Sequence, residues 1–286
     1  MNELLCNIVD NLQSYYKESK ELYVYAEDIF NDYLQIDYSK LDNSNFSIKT
    51  LKESYNATDR LDAEYYQVRY DELVDKLNKL KAVKLGGADG ICKFVKSIEP
   101  GSEYYGDDGV PFIRVSDISK YGITESEIKI PLNTIDNIEK LYPKKDTILF
   151  SKDGSIGIAY KLEEDLKVIT SSALLHLHIK DVRSILPDYL TLVLNSNVVK
   201  MQSERDSNGA IIQHWRMNEI SNVLIPVAPI DIQKQISDKI KKSFEMRKKS
   251  QELINVGIRA VEIAIEKSES EAIKFLEIKE PLKSEH

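Results

Sequence analysis

Mostly apolar side chains recur every three or four residues near both ends of the chain. The first series consists of Leu5, Ile8, Leu12, Tyr15, Ser19, Leu22, Ala26, Ile29 and Tyr33, with Ser19 as its one polar member. The second follows Pro226 and Pro229 and consists of Ile236, Ile240, Phe244, Arg247, Gln251, Ile254, Ile258, Val261 and Ile265. Such spacing is typical of helices that pack along a coiled-coil seam. The pattern therefore predicts two long helices, over residues 1–36 and 229–275.

We assign the packing interface of these helices to seven of the apolar positions. They are Leu12, Leu22, Ile29, Ile240, Phe244, Ile254 and Ile258. The segments YKESKEL at residues 16–22 and RKKSQEL at residues 247–253 also resemble each other. An internal repeat predicts a pseudo-symmetric pairing of the two helices, although any two charged amphipathic helices share some likeness.

The chain between the helices changes from helical periodicity to short β-rich runs. Residues 37–80 are predicted as a linker that contains a short helix from about Asp62, and residues 276–286 as a tail. Strands are predicted over residues 111–115, 147–150, 156–160 and 173–178, and a further helix from Pro187 to about Arg205. We therefore expect an α+β fold, with one β-rich globular domain over residues 81–228 between two long coiled-coil-forming helices.

Composition narrows the class of protein. The 286 residues carry a formal charge of -8 and a pI near 5.3, which argues against a protein that coats nucleic acid non-specifically. No stretch approaches the roughly 18 consecutive apolar residues of a membrane span, so a cytoplasmic protein is expected. The two cysteines, Cys6 and Cys92, lie far apart without neighbouring ligand residues, which predicts neither a disulfide nor a zinc site.

Familiar catalytic motifs are absent from the sequence. It contains no phosphate-binding loop, no H-E-x-x-H and no G-x-S-x-G, and the glycines at 86–90 do not match a dinucleotide fingerprint. His176 and His178 would share one face of a strand and offer two metal ligands. With no third ligand nearby, a structural or solvent-facing pair is the alternative. We predict no catalytic residue, no bound metal and no cofactor.

Two polar segments have the composition of binding loops. The first, FSKDGSIG at residues 150–157, offers Lys152 and Ser155 to a phosphate or a base edge, or is simply a hairpin turn with a left-handed glycine. The second, SNGAIIQHWR at residues 207–216, contains side chains that can bridge base edges. Its tryptophan, Trp215, could equally be a core anchor with Arg216 at the surface.

The order of the motifs resembles the specificity subunits of type I restriction-modification systems. GVPFIRVSDI at residues 109–118 is similar to a strand motif of that family, and DTILFSKDGSIG at residues 146–157 to its hairpin, with one extra residue before the serine. RLDAEYY at residues 60–66 is similar to the entry of a recognition domain. Ser171 and Ser172 match a serine pair, and IPVAP at residues 225–229, followed by Gln233, matches the exit.

The resemblance implies a DNA target recognition domain that reads half of a bipartite sequence. It implies that the helices dock adenine-N6 methyltransferase subunits, which would bind S-adenosylmethionine, and that a motor-nuclease restriction subunit can join. A full specificity subunit usually has two recognition domains, so this chain is similar to a half-size form or a C-terminal half, of which two copies would rebuild a symmetric reader. We assign the DNA-binding side to Arg114, Ser116, Lys152, Ser155, Asn208, Gln213, His214 and Arg216.

A protein of a different class also fits the pattern. Coiled-coil helices and an acidic globular domain are typical of an adaptor that binds other proteins and never contacts DNA. A neighbouring gene for an adenine methyltransferase, with its N-P-P-[FY] motif, would favour the DNA-binding interpretation. An enzyme built on the His176 and His178 pair is a third alternative, which metal analysis would test.

Overall fold

The computed structural model describes residues 1–44, 46–135, 137–207 and 214–279. It divides into two compact units: a helical unit, made of Met1–Asp28 and Gln235–His286, and a mixed unit, Ile29–Lys234. The α-helices are α1 (Asn2–Leu34), α2 (Tyr55–Thr58), α3 (Val68–Lys79), α4 (Pro187–Leu194), α5 (Asn197–Ser207), α6 (Met217–Asn222), α7 (Ile230–Glu266) and α8 (Glu269–Lys279).

The strands all lie in the mixed unit and are short. They are β1 (Val83–Lys84), β2 (Cys92–Lys96), β3 (Val110–Ile113), β4 (Ile118–Ser119), β5 (Gly122–Ile123), β6 (Lys129–Ile130), β7 (Ile148–Ser151), β8 (Ala159–Lys161), β9 (Ile169–Thr170), β10 (Leu174–Ile179) and β11 (Leu224–Ile225). The predicted α+β fold, a β-rich domain flanked by a long N-terminal and a long C-terminal helix, is confirmed.

In the helical unit, α1 and α7 run antiparallel. The hydroxyl of Ser243 donates to the carbonyl of Ser19 at 2.6 Å, and the hydroxyl of Ser250 donates to the carbonyl of Leu12 at 3.0 Å. These small side chains bring the two backbones close together. Lysine or arginine groups of α7 also lie over tyrosine rings of α1, in the pairs Lys249 with Tyr15, Arg247 with Tyr16 and Lys239 with Tyr25. The pairing of α1 with α7 is therefore stabilised by hydrogen bonds from serine hydroxyls and by cation–π contacts as well as by apolar packing.

The buried positions of this pairing differ from the predicted seam. Ile240 is buried, and Leu12, Leu22, Ile29 and Phe244 are partly buried, but Ile254 and Ile258 are exposed. The buried faces instead run through Tyr23 and Ala26 in α1 and through Ser243, Ser250, Leu253 and Ala260 in α7. The buried face follows the partners that α7 meets, since Leu253 lies in one apolar cluster with Ile8 of α1 and Leu276 of α8. Along α7 the buried face has moved by one residue.

The C-terminal helix ends earlier than the sequence pattern predicts. We expected one helix over residues 229–275, whereas α7 ends at Glu266 and α8 begins at Glu269. The hydroxyl of Ser268 accepts a hydrogen bond from the backbone N–H of Glu271 at 3.3 Å, as a helix N-cap does. This break brings Leu276 of α8 into one apolar cluster with Ile8 and Leu253.

Two sheets form the core of the mixed unit. The antiparallel sheet has the order β2-β10-β7-β8, and all four residues of its inner strand β7 are buried. The second sheet has the order β6-β3-β9, with β3 and β9 parallel. Phe112 of β3 lies in an apolar cluster on this second sheet, while Ile113 packs with Leu149 of β7 and Leu174 of β10. Consecutive side chains of β3 point to opposite faces of the strand, so β3 contributes to the apolar clusters of both sheets.

The helix predicted from Pro187 to Arg205 is two helices. Asn195 separates α4 from α5, and its side chain both accepts from the backbone N–H of Ala159 at 3.1 Å and donates to the carbonyl of Ala159 at 2.8 Å. Ala159 begins the outer strand β8. The side chain at the break therefore provides hydrogen-bond partners for backbone groups of a strand far away in the sequence. Helical periodicity alone does not predict such a break.

The chain leaves the mixed unit through a buried hydrogen-bond cluster. The amide of Gln233 donates to the carbonyls of Ala228 and Ser184 and accepts from the backbone N–H of Leu186. The hydroxyl of Tyr189 donates to the carbonyl of Pro226 at 2.7 Å and accepts from the N–H of Ala228 at 3.1 Å. Each of these groups would otherwise be a buried polar atom without a partner, which is costly. No helix in the described ranges has the length and apolar character needed to cross a membrane.

Burial, and to a smaller extent the charge of the nearby His178, lowers the pKa of His176 to about 4. The ring of His176 is 6% exposed, and its Nε2 lies 2.8 Å from the hydroxyl of Thr170. The unfolded chain would bind this proton near the ordinary pKa of 6.5, so stability is lost as pH falls from about 6.5 to about 4.

We predict that His176→Gln flattens this part of the pH dependence. A full displacement of the pKa corresponds to about 3 kcal/mol, so the free energy of unfolding of the natural chain should fall by up to that amount between pH 7 and 4. Urea unfolding at several pH values measures it, with His214→Gln, whose ring is exposed, as the control. An unchanged slope in His176→Gln would show that this ring does not titrate as described.

Candidate nucleic-acid interface

Four chain segments meet at one edge of the mixed unit, and three backbone hydrogen bonds join them in a row. The N–H of Ser171 donates to the carbonyl of Ile113 at 2.8 Å, and the N–H of Lys152 to that of Ala173 at 2.9 Å. The N–H of Trp215 then donates to the carbonyl of Lys152 at 2.8 Å. We call the segments 113–116, 171–173, 151–157 and 214–216 the strand-end row, because the first three begin at the ends of β3, β9 and β7.

The segment 151–157 is a hairpin loop between β7 and β8. Ser151 closes it: its hydroxyl donates to the carbonyl of Ser155 at 2.6 Å and accepts from the N–H of Ile158 at 2.8 Å. Gly154 and Gly157 have φ values of +71° and +82°, which glycine adopts without steric cost. The left-handed turn that the sequence offered as one alternative is therefore present, and it leaves Ser155 exposed at the loop tip.

His214 and the hairpin loop are joined through a side chain. The Nδ1 of His214 lies 2.8 Å from a carboxylate oxygen of Asp153, and the ammonium of Lys152 contacts the other oxygen. Asp153 and His214 also form an isolated antiparallel β-bridge. The two loops that the sequence singled out separately thus form one surface.

Trp215 anchors this surface from below. Its ring is 1% exposed and packs on Phe150 of β7 with a centroid separation of 5.8 Å. Its indole N–H donates to the carboxylate of Asp206, at the end of α5, at 3.2 Å. The core-anchor alternative describes Trp215, and Arg216 beside it is exposed.

Arg114 and Ser116 share one carboxylate in the turn after β3. Asp117 accepts from the backbone N–H of Arg114 and from the hydroxyl of Ser116, both at 2.9 Å, and lies 3.6 Å from the Nε of Arg114. Arg216 is held in the same way by Glu219, which accepts from its backbone N–H at 3.0 Å and from its Nε at 3.1 Å. Both arginines are thereby oriented while their side chains stay exposed.

Each of the three lysine and arginine side chains of the row is paired with a neighbouring carboxylate. The pairs are Arg114 with Asp117, Lys152 with Asp153, and Arg216 with Glu219. Burial raises the pKa of Glu219, against the opposing hydrogen bond from the N–H of Arg216. The row therefore offers oriented donors with little net positive charge, a better match to the polar edge of a partner than to a run of phosphates.

Some predicted residues lie elsewhere or are not described. Asn208 and Gln213 fall outside the described residues. Lys144 and Lys145, also considered as cationic candidates, precede β7 at the end opposite Lys152 and interact with Asp165. They do not contribute to the row.

Sequence reasoning missed the acidic partners of the row. Asp153, Asp206 and Glu219 hold His214, Trp215 and Arg216 respectively. Asp153 was visible inside the first loop and Glu219 at the i+3 spacing of a capping box after Arg216. No local sequence pattern identifies Asp206, because its hydrogen-bond partner, the indole of Trp215, lies nine residues further along the chain. Within the described parts of the chain, no group of three or more His, Cys, Asp or Glu side chains could hold a metal ion.

Comparison with known proteins places this chain in a family. Residues 88–255 match the family model of the type I restriction modification DNA specificity domain. No curated protein sequence matches the chain significantly.

Three solved structures are similar to the chain at low sequence identity. The S subunit of a type I restriction-modification system from M. genitalium shares 15% identity over 61% of this chain and 38% of that one, with a TM-score of 0.36. The HsdS subunit from Thermoanaerobacter tengcongensis shares 16% over 90% and 58%, with a TM-score of 0.41. A structure concerned with complex assembly of the type I restriction-modification system shares 12% over 95% and 58%, with a TM-score of 0.43. The chain thus spans about two fifths to three fifths of these proteins.

We predict that Trp215→Phe lowers the free energy of unfolding by about 1–3 kcal/mol, because the buried carboxylate of Asp206 loses its indole donor and the smaller ring fills less of the site. Since the fluorophore is lost, circular dichroism should follow the urea transition. Tyr104→Phe, at an exposed ring, is the control and should leave stability unchanged. Equal stability of Trp215→Phe and the natural chain would contradict the anchoring role.

Proposed function

This chain belongs to the type I restriction-modification DNA specificity family, and we propose that it is the sequence-reading subunit of an adenine-N6 DNA methyltransferase complex. Residues 81–228 would read one half of a bipartite target in double-stranded DNA. The observation that supports this proposal is the strand-end row, which gathers Arg114, Lys152, His214 and Arg216 from separate segments of the chain.

The carboxylate pairs suggest how such a reader avoids non-specific binding. Non-specific affinity for DNA comes from neutralising phosphates with free cations. Arg114, Lys152 and Arg216 are each partly neutralised by a neighbouring carboxylate, and the whole chain is acidic. Contacts to base edges, for which Arg and Gln are suited, would then contribute most of the discrimination, and partner subunits would complete the affinity.

Catalysis would reside in partner proteins. The two long helices would act as spacer and docking surface for methyltransferase subunits, which would bind S-adenosylmethionine and flip the target adenine out of the duplex. A motor-nuclease restriction subunit would join the same assembly. The chain itself would have no catalytic residue and no cofactor, and the complex would act on DNA in the cytoplasm.

A second copy of the chain would complete the bipartite reader. Ile254, Ile258, Val261 and Ile265 are exposed on α7 at spacings of four, three and four residues. An exposed apolar row with this spacing is what a coiled-coil partner covers. Two chains related by a two-fold axis would present two recognition domains to the two halves of one target.

The DNA-binding map predicts that alanine at Arg114, Lys152, Ser155, His214 or Arg216 lowers methylation without unfolding the chain. Loss of one good base contact corresponds to about 1–3 kcal/mol, or roughly five- to 150-fold. The assay co-expresses each variant with the methyltransferase subunits and measures N6-methyladenine in a duplex that carries the target. Ser116, Asn208 and Gln213 belong to the same series.

Lys144→Ala, at the opposite end of β7 from Lys152, is the control for this series and should methylate normally. Unchanged methylation across the whole set, with an intact complex, would exclude this map and favour the adaptor alternative.

The dimer proposal predicts that Ile258→Asp makes the chain monomeric. A buried aspartate without a partner is costly in an apolar seam. Light scattering after size exclusion should give twice the chain mass for the natural protein and the single mass for Ile258→Asp. Val182→Asp, at an exposed apolar residue of the mixed unit, should stay dimeric. A monomeric natural protein would exclude a homodimer through this row.

A further inference from the structure

The entry segment at residues 60–66 lies directly behind the strand-end row. Arg60 is mostly buried, with its side chain 14% exposed. Its Nε and Nη2 donate to the two carboxylate oxygens of Asp62 at 2.8 and 2.6 Å. This hydrogen bond and the charge of Asp62 hold the pKa of Arg60 above its ordinary value despite burial. Asp62 thus fixes the orientation of the guanidinium from one side.

The other side of Arg60 faces the two residues that hold the row. Its Nη1 donates to the backbone carbonyl of Asp206 at 2.7 Å and lies 4.0 Å from a carboxylate oxygen of Glu219. Asp206 binds the indole of Trp215, and Glu219 binds Arg216. One buried guanidinium therefore contacts the supports of two consecutive residues of the row.

Tyr65 completes this cluster by stacking between two arginines. Its ring centroid lies 4.5 Å from the Cζ of Arg60 and 5.0 Å from the Cζ of Arg205. The Nε of Arg205 donates to the oxygen of Asp206 that Trp215 does not use, at 3.1 Å. Tyr65 thereby aligns both guanidinium groups that reach Asp206.

We propose that Arg60 and Tyr65 are positioning residues for DNA recognition, which hold Asp206 and Glu219 so that Trp215 and Arg216 take their places in the row. The inference rests on the proposed function. Neither residue contacts DNA in this account. A guanidinium is required at residue 60 because only it combines the fork to Asp62, the bond to Asp206 and the stack on Tyr65.

The test uses Arg60→Met and Tyr65→Leu, with two matched controls. Tyr65→Phe keeps the ring that stacks on the arginines. Arg69→Met removes another arginine of the mixed unit, which stacks on Tyr70 at 4.7 Å and donates to its hydroxyl at 2.8 Å. Among the described residues Arg69 makes no hydrogen bond or ion pair with Asp206 or Glu219, so its variant reports the general cost of losing such a stack.

The first readout is the fluorescence of Trp215 in the free chain, which contains one tryptophan. Arg60→Met and Tyr65→Leu should shift its emission to longer wavelength and increase acrylamide quenching under conditions where circular dichroism shows a folded chain. Tyr65→Phe and Arg69→Met should leave both unchanged. Unchanged emission in Arg60→Met would overturn the proposal.

The second readout is DNA affinity of the chain assembled with its methyltransferase subunits. Arg60→Met should weaken binding to the target duplex by about tenfold or more, while binding to an unrelated duplex changes less than about twofold. An equal loss on both duplexes, or the same loss in Arg69→Met, would overturn the positioning role in favour of a general structural one.

The two readouts separate failure of this inference from failure of the proposed function. The fluorescence readout involves no DNA and tests only whether Arg60 and Tyr65 hold Trp215. If the natural complex and Lys152→Ala bind target and unrelated duplexes alike, the proposed function fails, whatever the emission of Arg60→Met. If the natural complex discriminates but Arg60→Met discriminates equally well, only the positioning proposal fails.

Discussion

The hydrogen bond from the backbone N–H of Trp215 to the carbonyl of Lys152 joins segments that are far apart in the sequence. The candidate interface depends on it, because this bond fixes the backbone that carries His214 and Arg216 beside the β7–β8 loop. Two further contacts of Trp215 stabilise this bond. Its ring packs on Phe150 in the core, and its indole N–H is bound by Asp206. Backbone pairing, apolar burial and a charge-assisted hydrogen bond thus act on one residue.

Features set by local periodicity or turn chemistry could be predicted from the sequence. The two long helices, the β-rich middle and the glycine turn after β7 belong to this group. Features set by long-range contacts could not. The one-residue shift of the buried face toward Leu253 and away from Ile254 depends on the apolar cluster that Leu253 forms with Ile8 and Leu276. The break at Asn195 depends on the needs of Ala159 in a distant strand.

The candidate site divides in the same way. The cationic and polar residues Lys152, His214 and Arg216 were selected by residue type, and the row gathers them. Their grouping depends on pairing between strand ends that no local pattern contains. Asp206 could not be recognised in advance, since its only signal is the distance to the indole of Trp215. The short entry and exit motifs, by contrast, each supply a side chain that holds backbone segments together by hydrogen bonds. Arg60 of the entry motif donates to the carbonyl of Asp206 behind the row, and Gln233 of the exit motif donates to the carbonyl of Ala228 where the chain leaves the mixed unit.

The acidic charge of the chain and its assignment to DNA are compatible if recognition relies on oriented donors rather than on free positive charge. On the proposed function, the chain would determine which adenines are methylated, and partner subunits would carry out the reaction. Sequencing of methylated adenines in the host genome, with and without the gene, tests this claim most directly. The account predicts that N6-methyladenine at one bipartite sequence disappears when the gene is deleted and returns when it is restored. An identical set of methylated sites in both strains would contradict it.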